Sequence, residues 1–219
     1  MRPSRQQPPV TNRVTNRHQA PSKDARTPGE ARDARARLAE AAAEAFAAKG
    51  FHGTTTRDIA AAAGMSPAGI YVHHRSKEEL LYVISRSGHD RTLALVEEAV
   101  ASSDSPREQL LAVVRGLVAL HARGHTRART VNYELAALTP EHLVEIAAIR
   151  RRIQHLLRTV VEAGVAAGEF EVRDPSVTAL ALLSLGIDVA RWYRDEGTWS
   201  PEDIAEQYGV LALRIVGAR

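Results

Sequence analysis

Residues 54–77 read TTTRDIAAAAGMSPAGIYVHHRSK, and the punctuation of this stretch sets two short helices around a tight turn. Thr55 stands where an N-cap is wanted, and Asp58, three residues on, closes a capping box with it. The helix that follows, Arg57 to Ala63, has an apolar face and stops at Gly64, where the chain needs a left-handed residue that a Cβ would oppose. Ser66 and Pro67 open a second helix: the hydroxyl caps it, and proline at the first helical position gives up an N–H that has no partner there. Ile70 and Tyr71 lie one turn into it. Two helices across so short a turn, with a basic residue near each end, have the shape of a helix-turn-helix that fits the DNA major groove. The same pattern also occurs in purely structural αα-hairpins, so the flanks matter.

The flanks carry a family resemblance. Arg37-Leu38 through Phe46, Lys49-Gly50-Phe51, Thr54 to Ala60, Ala63-Gly64, Ser66, Gly69-Ile70-Tyr71, His73, Ser76-Lys77-Glu78 and Leu80-Leu81 together resemble the DNA-binding domain of the TetR family, the tetracycline-repressor-like one-component transcriptional regulators. One position departs: the family places Phe after the motif histidine, and here His74 stands there. That Phe packs the recognition helix on its domain, so the resemblance implies a poorer plug at His74. The resemblance also implies DNA contacts from Thr55, Thr56 and Arg57. It sets Pro67, Ala68 and Gly69 against the bases and Tyr71, His73 and Lys77 against phosphates. Pro67, Ala68 and Gly69 carry no side-chain hydrogen-bond donor, so they offer only close approach and apolar contact. More of the direct base reading then falls to Arg57.

Charge divides the chain the same way. The net charge of +3 is modest, but residues 1–77 carry 13 Lys and Arg against 6 Asp and Glu, while residues 78–219 carry 16 against 20. A basic N-terminal part on an acidic remainder fits a DNA-binding head joined to a body with another task. Residues 1–30 are rich in Pro, Gln, Asn, Thr and Arg with almost no large apolar side chains, a composition that predicts disorder. This basic tail reads either as a solvated leader or as an arm adding phosphate or minor-groove contacts. The 219 residues contain no cysteine, which excludes disulfides and thiolate chemistry. No apolar run reaches membrane-spanning length and no signal peptide is legible, so a cytoplasmic protein without membrane contact is expected.

From about Ala31 onward the chain reads as all-α, about nine helices: a helix-turn-helix DNA-binding domain over 31–77 and a ligand-binding and dimerisation domain over 78–219. Gly50 ends the first helix. Ser76-Lys77-Glu78-Glu79 caps a fourth that runs to about Val100, and Ser105-Pro106 opens a fifth. A sixth spans about Arg127 to Leu138. Thr139-Pro140 opens a long seventh ending near Gly164 or Gly168, Asp174-Pro175 an eighth reaching Gly197, and Ser200-Pro201 a ninth ending at Gly217.

The body bears a second resemblance. Ala137 to His142, Arg151, Ala163-Gly164, Gly168-Glu169-Phe170, Arg191 to Arg194 and Ser200 to Ala205 are similar to the regulatory domain of TetR-family members that control fatty-acid, aromatic-acid or sterol catabolism, several of which respond to coenzyme A thioesters. The resemblance implies a ligand pocket in the body and a homodimer through the last two helices. The residues agree on the dimer: the eighth helix is apolar on more than one face between Ala179 and Ile187, more than a one-sided surface helix needs. A two-fold partner would present two recognition helices to a palindromic operator in double-stranded DNA.

For the effector, the candidates are Asn132 and Tyr133, polar residues among apolar ones, Arg151 in the Arg150-Arg151-Arg152 run, and Trp192. A guanidinium suits the phosphates of a coenzyme A thioester, which favours Arg151 if one binds. The plainer alternatives are surface or capping positions for the polar residues and a core or dimer aromatic for Trp192. His121 and His125, four apart, invite a metal, but Gly124 interrupts the helix and no carboxylate has ligand spacing, so neither metal nor cofactor is expected. With no phosphate loop, nucleophile elbow or triad, no catalytic residue is assigned and an enzyme is not expected. A ligand-responsive regulator, a repressor on the strength of the resemblance, is the reading. A multidrug or small-lipophile sensor of the same fold is the alternative, and a helical interaction module that binds no DNA a more distant one.

Overall fold

Ser66-Pro67, Ser105-Pro106, Thr139-Pro140, Asp174-Pro175 and Ser200-Pro201 are capped helix starts, each side-chain oxygen accepting a backbone N–H of the first turn. The computed structural model describes residues 28–218, so the disorder and DNA contact expected of the tail fall outside the described residues, apart from 28–30, which already belong to the first helix. The helices are α1 Pro28–Gly53, α2 Thr56–Ala62, α3 Pro67–His73, α4 Lys77–Ala101, α5 Pro106–Arg123, α6 His125–Tyr133, α7 Pro140–Ala166, α8 Pro175–Trp192 and α9 Pro201–Ile215, and no strand occurs among the described residues.

Three boundaries differ from the sequence reading. The first helix bends at Gly50 (φ 72°) and adds one turn to Gly53. The sixth begins at the Gly124 break and stops at Tyr133, a single 3-10 turn over Leu135–Ala137 taking the chain to Thr139. The eighth ends at Trp192, because Tyr193 leaves the helical region (φ −59°, ψ 142°) to bury its ring beside His125, centroids 5.6 Å apart.

Two apolar cores organise the molecule. Leu38, Ala42 and Phe46 of α1, Ile59 and Ala60 of α2 and Ile70 of α3 close on Leu80, Leu81 and Ile84 of α4, with Val131 and Ile146 completing the cluster from α6 and α7. The second core surrounds α5: Leu110, Val113, Leu117 and Val118 meet Val96 of α4, Leu157 and Val161 of α7, Leu182 and Val189 of α8 and Ile204 and Ala212 of α9. Burying each of the Val, Leu, Ile and Phe side chains contributes about 1.5–3 kcal/mol. The head is therefore not a separate body: α4 supplies both cores, and α6 rests on α1, α4 and α8. At Gly88 of α4 the approach is close enough that a Cβ would lie 2.8 Å from Val131 Cγ2. Thr130 of α6 reaches the other way, its hydroxyl donating to Ala43 O of α1 at 3.1 Å.

Candidate nucleic-acid interface and effector cavity

The turn between α2 and α3 is built as its residues dictate. The Thr55 hydroxyl accepts the Asp58 amide at 3.1 Å and donates to Asp58 Oδ2 at 2.8 Å, and Asp58 Oδ2 also accepts the Thr55 amide at 2.9 Å. The Thr55 amide and hydroxyl hold the Asp58 carboxyl below its ordinary range. Gly64 takes φ 67°, and Ser66 Oγ accepts from the Gly69 amide at 3.2 Å. Ile70 is fully buried, which fixes the rotation of α3 and turns its N-terminal end and outer face to solvent. Pro67, Ala68 and Arg57 are exposed, Thr56 and Gly69 partly so. Tyr71 is 58% and Val72 72% exposed, large apolar side chains on a face that no other described element covers. Val72, a candidate for thymine-methyl contact, is absent from the sequence-derived set because its neighbours give no sign of its direction. His73 is half-buried at the end of α3.

Two positions depart from expectation. Lys77, assigned to a phosphate, is turned inward: Nζ donates to Phe51 O at 2.8 Å and Thr54 O at 2.7 Å and lies 4.2 Å from the Phe51 ring centroid. An ammonium there satisfies the last carbonyls after α1 and suits the negative end of its dipole. His74 fills the plug position well enough to be 5% exposed, but its Nε2 has no hydrogen-bond partner among the described residues, and burial lowers its pKa.

In the body, α4 to α8 surround a cavity holding about 610 Å³ of atom-free space, part of it open to solvent. Leu117, Ile153, Leu183 and Ile187 form apolar walls, and His89, His121 and Arg150 are set among them. Both histidines are 4% exposed. Nδ1 of His89 lies 2.8 Å from Ser85 O, and Nδ1 of His121 lies 2.8 Å from Leu117 O. A carbonyl only accepts, so each Nδ1 carries the proton and each Nε2 is left with a lone pair. Burial pushes the His89 pKa down to about 4 and lowers that of His121, which keeps both neutral. Arg150 is accessible yet lines the cavity, with Nη1 3.2 Å from His89 Nε2. Desolvation lowers its pKa, but a guanidinium stays charged. A second recess, about 600 Å³ of atom-free space, part of it open to solvent, shares Thr92, His121, Val131 and Asn132 with the first; Arg91 and Arg127 line it, with no carboxylate among its described lining residues. Arg127 also pairs with Glu40 of α1 at 2.9 Å.

This architecture has known relatives. Residues 38–83 match the model described as bacterial regulatory proteins, tetR family, and residues 103–216 match the tetracyclin repressor-like C-terminal domain. The chain belongs to the TetR family. It is 32% identical over 181 residues to the HTH-type transcriptional repressor KstR2 of Rhodococcus jostii (strain RHA1), covering 82% of this chain and 89% of that protein. Among solved structures it is similar to a tetR-family regulatory protein from Rhodococcus RHA1, with 44% identity and a TM-score of 0.81 over 85% of this chain and 98% of that one. It is also similar to AibR, solved with isovaleryl coenzyme A and operator DNA, with 27% identity and a TM-score of 0.77 over 85% of this chain and all (100%) of that one. TetR-family membership makes the α2–α3 unit a DNA-binding helix-turn-helix and the protein a transcriptional regulator.

Of the effector candidates for this TetR-family chain, Asn132 lines both cavities, its Nδ2 donating to Ala128 O at 2.9 Å. Tyr133 is 50% exposed and donates its hydroxyl to Asp188 Oδ1 at 3.2 Å. Arg151 is exposed and lines neither cavity: a helix turns about 100° per residue, and it is Arg150 that faces His89. Trp192 is 37% exposed in a surface groove with Tyr193 and Trp199, apart from both cavities. His121 and His125 part company, His121 facing the cavities and His125 standing 3.9 Å from Asp195. Val177 and Leu185 of α8 and Val210, Leu211 and Ile215 of α9 are exposed. Among the described residues no helix is long and apolar enough to cross a membrane.

Proposed function

We propose that this regulator is a homodimeric repressor that binds a palindromic operator in the cytoplasm and releases it when a small molecule, an acyl- or aryl-coenzyme A, enters the body. The carrying observation is the apolar cavity with His89, Asn132 and Arg150 in its wall, joined to the DNA-binding head through α6. Convergent polar groups in an apolar concavity orient a ligand. The thioester is supported by the likeness to AibR, solved with isovaleryl coenzyme A, and by the adjoining cavity, where Arg91, and Arg127 beside its partner Glu40, bring guanidinium groups to a recess that Arg151 does not line. Repression is supported by the likeness to KstR2. The apolar flank of α8 and α9 supports the dimer, since two such faces are buried by a two-fold axis.

The mechanism is a population shift. The effector binds best to a body conformation that spaces the two heads wrongly for successive major grooves, and by linkage DNA lowers effector affinity by the same factor. The test is a titration of a preformed protein–operator complex with a panel of thioesters and their free acids. Release by thioesters alone is the expected result. Release by free acids or unrelated lipophiles, with every thioester inert, replaces this reading with a small-lipophile sensor, which the apolar wall of Leu117, Ile153 and Leu183 would also suit.

A further inference from the structure

The polar groups of the main cavity are restricted in what they can offer. The Thr92 hydroxyl donates to Gly88 O at 3.0 Å and the Ser184 hydroxyl to Leu180 O at 2.8 Å, so each proton is committed to its own helix. His89 Nε2 is met by Arg150 at 3.2 Å. His121 Nε2, with its proton fixed on Nδ1 by Leu117 O, is an acceptor on a residue that lines the cavity, with no protein donor on it among the described residues. Arg150 holds further N–H groups beyond the one directed at His89. The wall therefore presents acceptors, His121 foremost, beside the charged guanidinium of Arg150 and the carboxamides of Asn132 and Gln154, which donate or accept, with Leu117, Ile153 and Leu183 around them. A plain hydrocarbon placed there leaves these groups unpaired, which is costly. A hydroxyl matches them, since it donates to an imidazole lone pair and accepts from a guanidinium.

We infer that the effector carries a hydroxyl group on its buried acyl or aryl part, donating to His121 Nε2 and accepting from Arg150, so that the cavity selects hydroxylated over unsubstituted carbon skeletons. This rests on the proposed effector-responsive regulation and narrows its ligand class. It gives His121 and Arg150 the role of specificity determinants, which a purely apolar sorting of acyl groups by size does not.

The experiment compares matched pairs as releasers of the operator complex: octanoyl-coenzyme A against its 3-hydroxy and 8-hydroxy forms, and benzoyl- against 4-hydroxybenzoyl-coenzyme A, each also as the free acid. For the native protein, at least one hydroxylated member acts at a concentration lower by about 10-fold than its parent. In His121→Leu and Arg150→Met that ratio falls to near one. Thermal melting identifies a variant that has lost its fold, and Arg150→Met, at an accessible position, carries the test if His121→Leu does not fold. The inference is overturned if no hydroxylated compound, thioester or acid, outperforms its parent, or if the preference survives in the folded variants. Thioesters that act without preference overturn it while leaving the thioester reading intact. Hydroxy acids that act with preference while all thioesters are inert sustain it and sink the thioester reading instead.

Discussion

The unpaired Nε2 of His74 sits in the wall of the DNA-binding head, 5% exposed. A buried nitrogen without a partner costs about 1–3 kcal/mol, so His74→Phe should raise stability by about that amount in urea unfolding at neutral pH. The pH dependence has a definite sign. Burial lowers the His74 pKa from 6.5, so the folded chain binds that proton more weakly than the unfolded one. Its contribution is fully present above the unfolded value and is lost as pH falls through the window below it. His89, pushed down to about 4, and His121 act in the same direction, so the variant should flatten the acid limb without abolishing it. An unchanged slope between neutral pH and pH ~5 would show that the imidazole is already solvated in the folded state. Lys77 gives the second prediction at this scale. With its ammonium on Phe51 O and Thr54 O, Lys77→Ala should lower stability by about 1.5–3 kcal/mol, the range for charged hydrogen bonds. The salt dependence of whatever DNA binding survives should stay as it was. A salt slope lower by about one unit would restore the phosphate role.

Among the elements, α3 owes its orientation to one buried residue, Ile70; with no side-chain donor at Pro67, Ala68 and Gly69, base discrimination is expected at the start of α2. Arg57→Ala should cost about 1–3 kcal/mol on the native operator and relax specificity. A competition assay with mutated sites measures both, and equal loss on every sequence would make Arg57 a phosphate contact. The helix starts and the head's apolar set were legible because capping and periodicity are local: Ser66-Pro67 and Thr55/Asp58 specify their turns within four residues. What was not legible is long-range. Lys77 finds its partners 23 and 26 residues away. The end of α8 is set by Tyr193 folding back onto His125. In the run Arg150-Arg151-Arg152 the sequence offers three guanidinium groups, and only the phase of α7 against α4 decides that Arg150 meets His89. His89 is disguised the same way, a polar residue whose burial depends on how helices pack around it.

For the whole molecule, the proposed dimer through the apolar flank of α8 and α9 would tie operator binding to association. Leu185 and Leu211, both exposed in the single chain, should tolerate a charge in a monomer and not in a dimer. Leu185→Glu with Leu211→Glu should yield a folded monomer by sedimentation, with operator affinity reduced by about 100-fold or more through lost bivalency. A variant that stays dimeric places the interface elsewhere. The remaining consequence belongs to α6. This nine-residue helix has no side-chain cap at its N-terminus and buries only Thr130 and Val131, so it depends on its neighbours for order. It nevertheless holds Asn132 at the cavities and Thr130 on α1. Short, uncapped helices open locally before the rest of a fold. Its amides should exchange with deuterium sooner than those of α5 and α7, and an occupied cavity should slow them. Coupling between effector and operator can then travel as a change in how often one helix is formed, with little displacement of any atom.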